Sequence, residues 1–152
     1  MYKSIIAVAL SAFALGALAV FAPGVQAQSV TAHKLVIQVT ENDEGAMTRA
    51  LGNAENAYEI YSARGETLDV EIVTYGPGIT MLRDDLSPVK ERITEVSMSV
   101  PGLTLSMCNN SKQGAERREG REIPVIEGVQ IVPAGIVRVM ELQEQGYVYA
   151  KP

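Results

Sequence analysis

Segments with the two-residue periodicity of β-strands alternate along this chain with segments that have the three- and four-residue spacing of helices. The predicted strands are residues 33–40, 68–74, 103–107, 128–132 and 147–150, and the predicted helices are residues 47–61, 88–100 and 133–145. Strands joined through helices form βαβ units, whose right-handed crossovers place helices on both faces of a mostly parallel sheet. The alternation therefore predicts an α/β fold with a five-stranded, mostly parallel sheet.

The first two strands differ in the spacing of their apolar residues. Residues 33–40 form a nearly continuous apolar run, which is typical of a strand buried on both faces. Residues 68–74 alternate instead, and this places Asp69 and Glu71 on the same face. That face of the second strand is predicted to be less well covered.

Local signals mark the two ends of the first helix. Asn42 and Asp43 are candidate N-caps, because each carries a side-chain oxygen that can accept from an unpaired backbone N–H. Gly65 follows the last turn, at the position where glycine commonly ends a helix. The face predicted to be buried carries Met47, Leu51, Ala54, Tyr58 and Tyr61.

Residues 109–122 leave two interpretations open. Apart from Ala115 the segment is polar, so a helix here would have little apolar surface with which to contact the sheet. We therefore expect either a weakly anchored helix or a mobile loop.

The first 27 residues have the features of a secretory signal peptide. Lys3 provides a short positive region, residues 5–21 are almost wholly apolar, and residues 25–27 (VQA) place small residues at a cleavage site. Residues 23 and 24 (PG) would end a helix before that site. An uncleaved membrane anchor is the alternative. Cleavage after Ala27 would leave residues 28–152 as a single periplasmic or secreted domain of a bacterial cell.

The charge of the mature chain excludes some classes of partner. Without Lys3, 12 basic residues remain against 18 acidic ones, a formal charge of −6. An acidic domain with no basic run argues against nucleic acid and against anionic membranes as partners. No second stretch is long and apolar enough to span a membrane, so we expect no membrane association after removal of the signal peptide.

Cys108 is the single cysteine of the chain. A lone thiol can form neither an intramolecular disulfide nor a cysteine-based metal cluster. In an exported protein it would meet oxidising surroundings, where an unshielded thiol pairs or oxidises. The thiol is therefore expected to be either buried or kept for its chemistry.

The predicted strand ends point to one edge of the sheet as the candidate site. In open α/β sheets, ligands bind outside the carboxyl ends of the strands. Cys108 closes the third strand and precedes a candidate helix start, whose N–H groups would favour the thiolate. The alternative is a small apolar residue that fills a strand end. The loops at this edge supply the candidate substrate-binding residues, which are Asn42, Gly76, Pro77, Gly78, Asn109, Asn110, Pro133 and Gly135.

Other motifs give little support for a cofactor or a metal. Residues 76–78 (GPG) can bring backbone N–H groups near an anion or a sulfur species, but they also fit an ordinary turn. The chain has neither a dinucleotide-binding nor a Walker-type glycine motif, so no nucleotide cofactor is predicted. His33 is the only histidine and lacks a second ligand of the right type, so no metal site is predicted either.

Six stretches along the chain match, in the same order, a sequence pattern known from one protein family. They are residues 50–56 (ALGNAEN), 75–79 (YGPGI), 108–111 (CNNS), 132–136 (VPAGI), 142–147 (LQEQGY) and the final 151–152 (KP). In these stretches the chain resembles the DsrE/DsrF-like sulfur-relay family. The resemblance implies a three-layer α/β/α fold of flavodoxin-like appearance and a homotrimer or homohexamer. It also implies that Cys108 carries sulfane sulfur as a persulfide between a donor and an acceptor protein.

Three functions are consistent with the sequence. The first is the sulfur relay, in which Cys108 holds a persulfide and passes its outer sulfur to a partner thiol. The second is a non-catalytic oligomeric module that binds a small ligand or a protein, with Cys108 as a structural residue. The third is a thiol redox sensor, oxidised at Cys108 and reduced by an external thiol.

Overall fold

The computed structural model describes residues 30–152, and the predicted signal peptide lies outside the described residues. The elements are β1 (Ala32–Val39), α1 (Glu44–Ala63), β2 (Thr67–Thr74), a 3-10 helix (Gly76–Leu82), α2 (Lys90–Ser99), β3 (Leu103–Cys108), α3 (Asn109–Glu119), β4 (Gln130–Val132), α4 (Gly135–Glu144) and β5 (Val148–Ala150). Within residues 30–152, no helix combines the length and the apolar character needed to cross a membrane.

The five strands form one sheet in the order β4-β3-β2-β1-β5, and every pair is parallel. Helices lie on both faces, so the predicted three-layer α/β/α architecture is confirmed. Because all strands run in one direction, their carboxyl ends meet at one edge of the sheet. Cys108 lies at that edge, at the end of β3 and beside Val132 of β4.

The two faces of the sheet are covered unequally. Alternate strand residues such as Ile37 and Ile72 pack on one face with α1 and α2, in the larger apolar cluster. Val36 and Val73 point to the other face, where they pack against Val139 of α4. A single ten-residue helix thus supplies the packing on the second face, among the described residues.

The ends of α1 follow the predicted signals in part. Asp43, and not Asn42, is the N-cap, since its Oδ1 accepts from the Ala46 N–H at 2.6 Å. Gly65 follows the C-cap Arg64 with a φ of +72°, a left-handed conformation that glycine adopts without steric cost. The prediction for Gly65 is confirmed.

Glu71 is more deeply buried than the sequence predicted. The alternating pattern of β2 placed this residue on a poorly covered face, yet Glu71 is buried, with 3% of its surface exposed. Arg138 of α4 covers it and donates two hydrogen bonds to its carboxylate. The prediction was wrong because strand periodicity contains no information about a charged partner 67 residues further along the chain.

The polar segment after β3 is a helix and not a loop. Of the residues of α3, Ala115 is the buried one, so apolar packing provides little of its attachment. The end of α3 is held instead by Arg83, which donates to the Glu119 carboxylate at 2.6 and 3.0 Å. Gly120 then ends the helix in a left-handed conformation.

Candidate functional site

Cys108 lies where three chain segments meet. It is the last residue of β3 and the N-cap of α3. On one side, β2 ends at Thr74 and continues into Tyr75 and Gly76. On the other side, β4 ends at Val132 and leads through two residues into α4. The parallel sheet therefore brings loops that are distant in sequence to one sulfur atom.

Polar groups at the starts of two helices favour the thiolate form of that sulfur. They include the backbone N–H groups of Asn110 and Ser111 in the first turn of α3 and the Ser111 hydroxyl, although Cys108 accepts no capping hydrogen bond of standard geometry. The Gly135 N–H comes from the start of α4. Unpaired N–H groups at a helix start carry partial positive charge, so both helix ends favour an anion at this position.

The balance of burial and hydrogen bonding sets the ionisation of the thiol. Burial raises the pKa of the Cys108 thiol, since Cys108 is only 4% exposed and the thiolate loses solvation. Hydrogen bonds from the Ser111 hydroxyl and from the backbone of Gly135, Ser111 and Asn110 outweigh this effect. The pKa of Cys108 therefore lies below its ordinary value, which increases the thiolate fraction at neutral pH.

Gly76 fixes the direction of the Ser111 hydroxyl. The Gly76 N–H donates to Ser111 Oγ at 2.8 Å. Because the oxygen accepts this bond, its own hydrogen remains free for the Cys108 sulfur. Gly76 has a φ of +56°, which favours glycine at this turn. The loop at residues 76–78 thus acts on the sulfur through Ser111.

Tyr75 packs tightly against the first residue of α4. A Cβ atom on Gly135 would lie 2.7 Å from Tyr75 Cδ1 and 2.8 Å from its Cβ, so only glycine fits. The pKa of the Tyr75 phenol is raised, first by burial, then by Tyr149, with a further contribution from Cys108. Tyr75 therefore stays a neutral phenol at neutral pH, and its contact with Gly135 limits how closely α4 approaches the end of β2.

The predicted site residues fall into two groups. Gly76, Asn110 and Gly135 belong to the hydrogen-bonded surroundings of the sulfur. Asn42, by contrast, is exposed after β1, two strands away from β3.

The remaining predicted residues border the same edge of the sheet. Gly78 is buried and its N–H donates to the Thr40 carbonyl at 3.0 Å, while Pro133 is exposed before α4. Asn109 is half-buried and begins α3. An open cleft of about 510 Å³ borders the site, and its lining includes Gly76, Pro77, Thr80, Asn110, Ser111 and Arg118.

Three residues that lie on the same face of the sheet as the thiol were not predicted from the sequence. Glu71, Ser106 and Arg138 form a hydrogen-bonded cluster on the same face of the sheet as Cys108. A signal for it existed, because a carboxylate near the middle of a parallel sheet requires a cationic partner. Arg138 is the only basic residue within the predicted helix 133–145.

No metal centre is formed by the residues that the structure describes. Among residues 30–152, no group of three or more His, Cys, Asp or Glu side chains is placed to hold a metal ion. His33 lies at the opposite edge of the sheet from Cys108, near the start of β1. Its Nε2 is 2.9 Å from Glu66 Oε2, and its ring stacks on Tyr61 at 3.7 Å.

Comparison with known proteins supports the fold. No family model matches the chain, and no curated protein matches it either. Among solved structures, the chain is similar to the protein of unknown function MTH1491 from Methanobacterium thermoautotrophicum, with a TM-score of 0.65 and 26% identity. The similarity covers 79% of this chain and 99% of that one. It thus extends over an entire α/β domain.

Proposed function

We propose that the protein is a sulfur carrier that holds a persulfide on Cys108 and passes it to a partner thiol. The Cys108 thiolate would attack the outer sulfur of a donor persulfide, forming a new S–S bond while the donor thiolate leaves. An acceptor thiolate then attacks the outer sulfur of the Cys108 persulfide, and the Cys108 thiolate is released. Both steps are exchanges between sulfur atoms, with no net oxidation and no cofactor.

The observation that carries this proposal is the set of donors around the sulfur. Two helix starts and the Ser111 hydroxyl surround Cys108, and each favours the negatively charged sulfur. The same donors assist both half-reactions, because Cys108 is the attacking thiolate in the first and the leaving thiolate in the second.

Persulfide loading of the chain tests the proposal. After incubation with a low-molecular-weight persulfide donor, we expect intact-protein mass spectrometry to show the addition of one sulfur atom to Cys108. A reducing thiol should then remove that sulfur. The matched control is Cys108→Ser, which keeps a small polar side chain but has no sulfur to accept. No mass increase in the wild-type protein would refute the proposal.

One observation favours the non-catalytic binding module instead. Cys108 is only 4% exposed, which is typical of a small residue that fills a strand end. If this second candidate is correct, Cys108 resists alkylation in the folded protein and becomes reactive only in denaturant. Rapid alkylation of the folded protein would contradict it.

We also propose that the protein is a homo-oligomer, a trimer or a hexamer. Ile136, Val137 and Met140 of α4 are about half exposed, and Ile131 on the edge strand β4 is similarly exposed. The helical spacing places the three α4 residues on one side of the helix. Clustered apolar side chains of this kind commonly form protein–protein contacts.

Export of the protein remains part of the proposal, supported by the predicted signal peptide.

Met140→Lys is expected to dissociate the oligomer, because a charge replaces a half-exposed apolar side chain in the proposed contact. Light scattering coupled to size-exclusion chromatography would measure the change in mass. The matched control is Met98→Lys on α2, since Met98 is more exposed and lies on the other side of the sheet. An oligomer that dissociates with Met98→Lys but not with Met140→Lys would show that α4 is not the interface.

A further inference from the structure

A buried ion pair connects α4 to the middle of the sheet. Arg138 donates from Nε to Glu71 Oε1 at 2.8 Å and from Nη2 to Glu71 Oε2 at 2.7 Å. Ser106, which is fully buried, donates to Glu71 Oε1 at 2.6 Å. The carboxylate is thus held by β3 and by α4 at once.

Two elements, β3 and α4, connect this cluster to the surroundings of the Cys108 sulfur. Ser106 and Cys108 are two residues apart in β3, so their side chains point to the same face at a spacing of ~7 Å. Arg138 lies three residues after Gly135, which is ~4.5 Å along the axis of α4. The ion pair therefore holds the first turn of α4, which begins at Gly135 and packs beside the end of β3 where Cys108 lies.

Stability alone does not require an ion pair here. Replacing a buried ion pair with apolar residues of similar volume is often neutral or stabilising. An apolar contact, however, would let α4 slide or rotate, whereas two parallel hydrogen bonds between a guanidinium and a carboxylate fix both distance and direction.

We propose that Glu71, Arg138 and Ser106 are positioning residues that orient the start of α4, so that the Gly135 N–H points at the Cys108 sulfur; this assignment rests on the proposed sulfur chemistry. The other charged or titratable groups near the pair are few. Glu141 lies 3.9 Å from Arg138 Nη1. Tyr147 interacts electrostatically with both members of the pair, and Asp69 interacts with Tyr147. Since Glu71 and Arg138 neutralise each other, their joint effect on the sulfur is mainly geometric.

Two single substitutions separate geometry from charge. Glu71→Gln preserves size but replaces an acceptor oxygen with an NH₂ group, which cannot accept from Arg138 Nη2. Arg138→Gln removes the guanidinium. A simple charge effect would make Cys108 more acidic in Glu71→Gln and less acidic in Arg138→Gln. Misplacement of α4 would make Cys108 less acidic in both.

The readout is the rate of Cys108 alkylation by iodoacetamide as a function of pH. We expect both variants to react about tenfold more slowly below the pKa of the thiol, the effect of losing one hydrogen bond to a charged group. The matched control is Glu55→Gln, which breaks an ion pair with Arg92 on the other side of the sheet and should leave the rate unchanged. Opposite shifts in the two variants, or no shift in either, would overturn the proposal.

A double variant covers the case in which a single substitution prevents folding. Glu71→Gln combined with Arg138→Met leaves no unpaired charge, so it should fold while still lacking the bidentate contact. We expect slow alkylation in this variant, and a wild-type rate would overturn the proposal. Persulfide loading of the wild-type chain is measured separately. If the wild-type chain takes up no sulfur while the alkylation rates of the variants change, the sulfur-carrier function is refuted and the positioning role stands. If the wild-type chain takes up sulfur but the alkylation rates of the variants do not change, the positioning role is refuted and the sulfur-carrier function stands.

Discussion

Gly78→Ala is expected to destabilise the protein by about 3 kcal/mol, at the upper end of the usual cost of overpacking. A Cβ atom at this position would lie 2.3 Å from the Val39 carbonyl oxygen and 2.9 Å from Thr40 Cα. These are backbone atoms of the β1 end, so no side-chain rotation can relieve the contact. Either the 3-10 helix or the end of β1 must move away from the other.

The movement would also break a hydrogen bond, since the Gly78 N–H donates to the Thr40 carbonyl at 3.0 Å. Gly76, two residues earlier, orients Ser111, so we expect the thiol to lose reactivity together with stability. Urea unfolding followed by circular dichroism would measure the loss of stability.

The matched control is the same substitution at Gly52, inside α1. A Cβ atom there meets nothing within 4 Å, and alanine is the better helix former. We expect Gly52→Ala to stabilise the protein by about 0.5–1 kcal/mol. Equal changes in the free energy of unfolding at the two positions would show that the backbone of β1 is not close enough to Gly78 to exclude a Cβ atom.

The order and type of the five strands and of α1, α2 and α4 were predictable because each depends on local periodicity. In α1, for example, Met47, Leu51 and Ala54 are buried on the face that their helical spacing predicted. The polar segment 109–122 could not be decided in this way, since its attachment depends on Arg83, which lies 36 residues away in sequence from Glu119. Long-range ion pairs leave no periodic signal.

The candidate site was predictable only as a location. The end of β3 and a helix start placed Cys108 correctly at the carboxyl edge of the sheet. Gly135 was among the predicted site residues, but its effect on the ionisation of Cys108 could not be inferred, because that effect depends on the order of β3 and β4 in the sheet and on the exact path between β4 and α4. For Glu71 the sequence can indicate only that a cationic partner is needed, and the pairing with Arg138 becomes visible only after the sheet and α4 are assembled.

Arg83→Met is expected to lower the stability by about 3 kcal/mol at neutral pH, the lower end of the cost of breaking a buried ion pair. Arg83 is 4% exposed and donates four hydrogen bonds, two to Asp85 and two to Glu119. Arg121 also contacts both carboxylates and would remain in the variant, which limits the loss.

The loss should depend on pH in a defined direction. Hydrogen bonds from Arg83 hold the pKa values of Asp85 and Glu119 below their ordinary range in the folded protein. Because a folded-state pKa below the unfolded one favours folding, this contribution is complete above the ordinary carboxyl pKa of about 4 and is lost as the pH falls through the folded-state values. The stability difference between wild type and Arg83→Met should therefore shrink between about pH 7 and about pH 3.

Urea unfolding of both proteins at the two pH values would measure that difference directly. Arg92→Met is the matched control, because Arg92 also contacts two carboxylates, Glu55 and Glu95, but lies at the surface, where ion pairs contribute little. A difference for Arg83→Met that stays constant with pH would mean that its packing, and not its pairing with Asp85 and Glu119, anchors the end of α3.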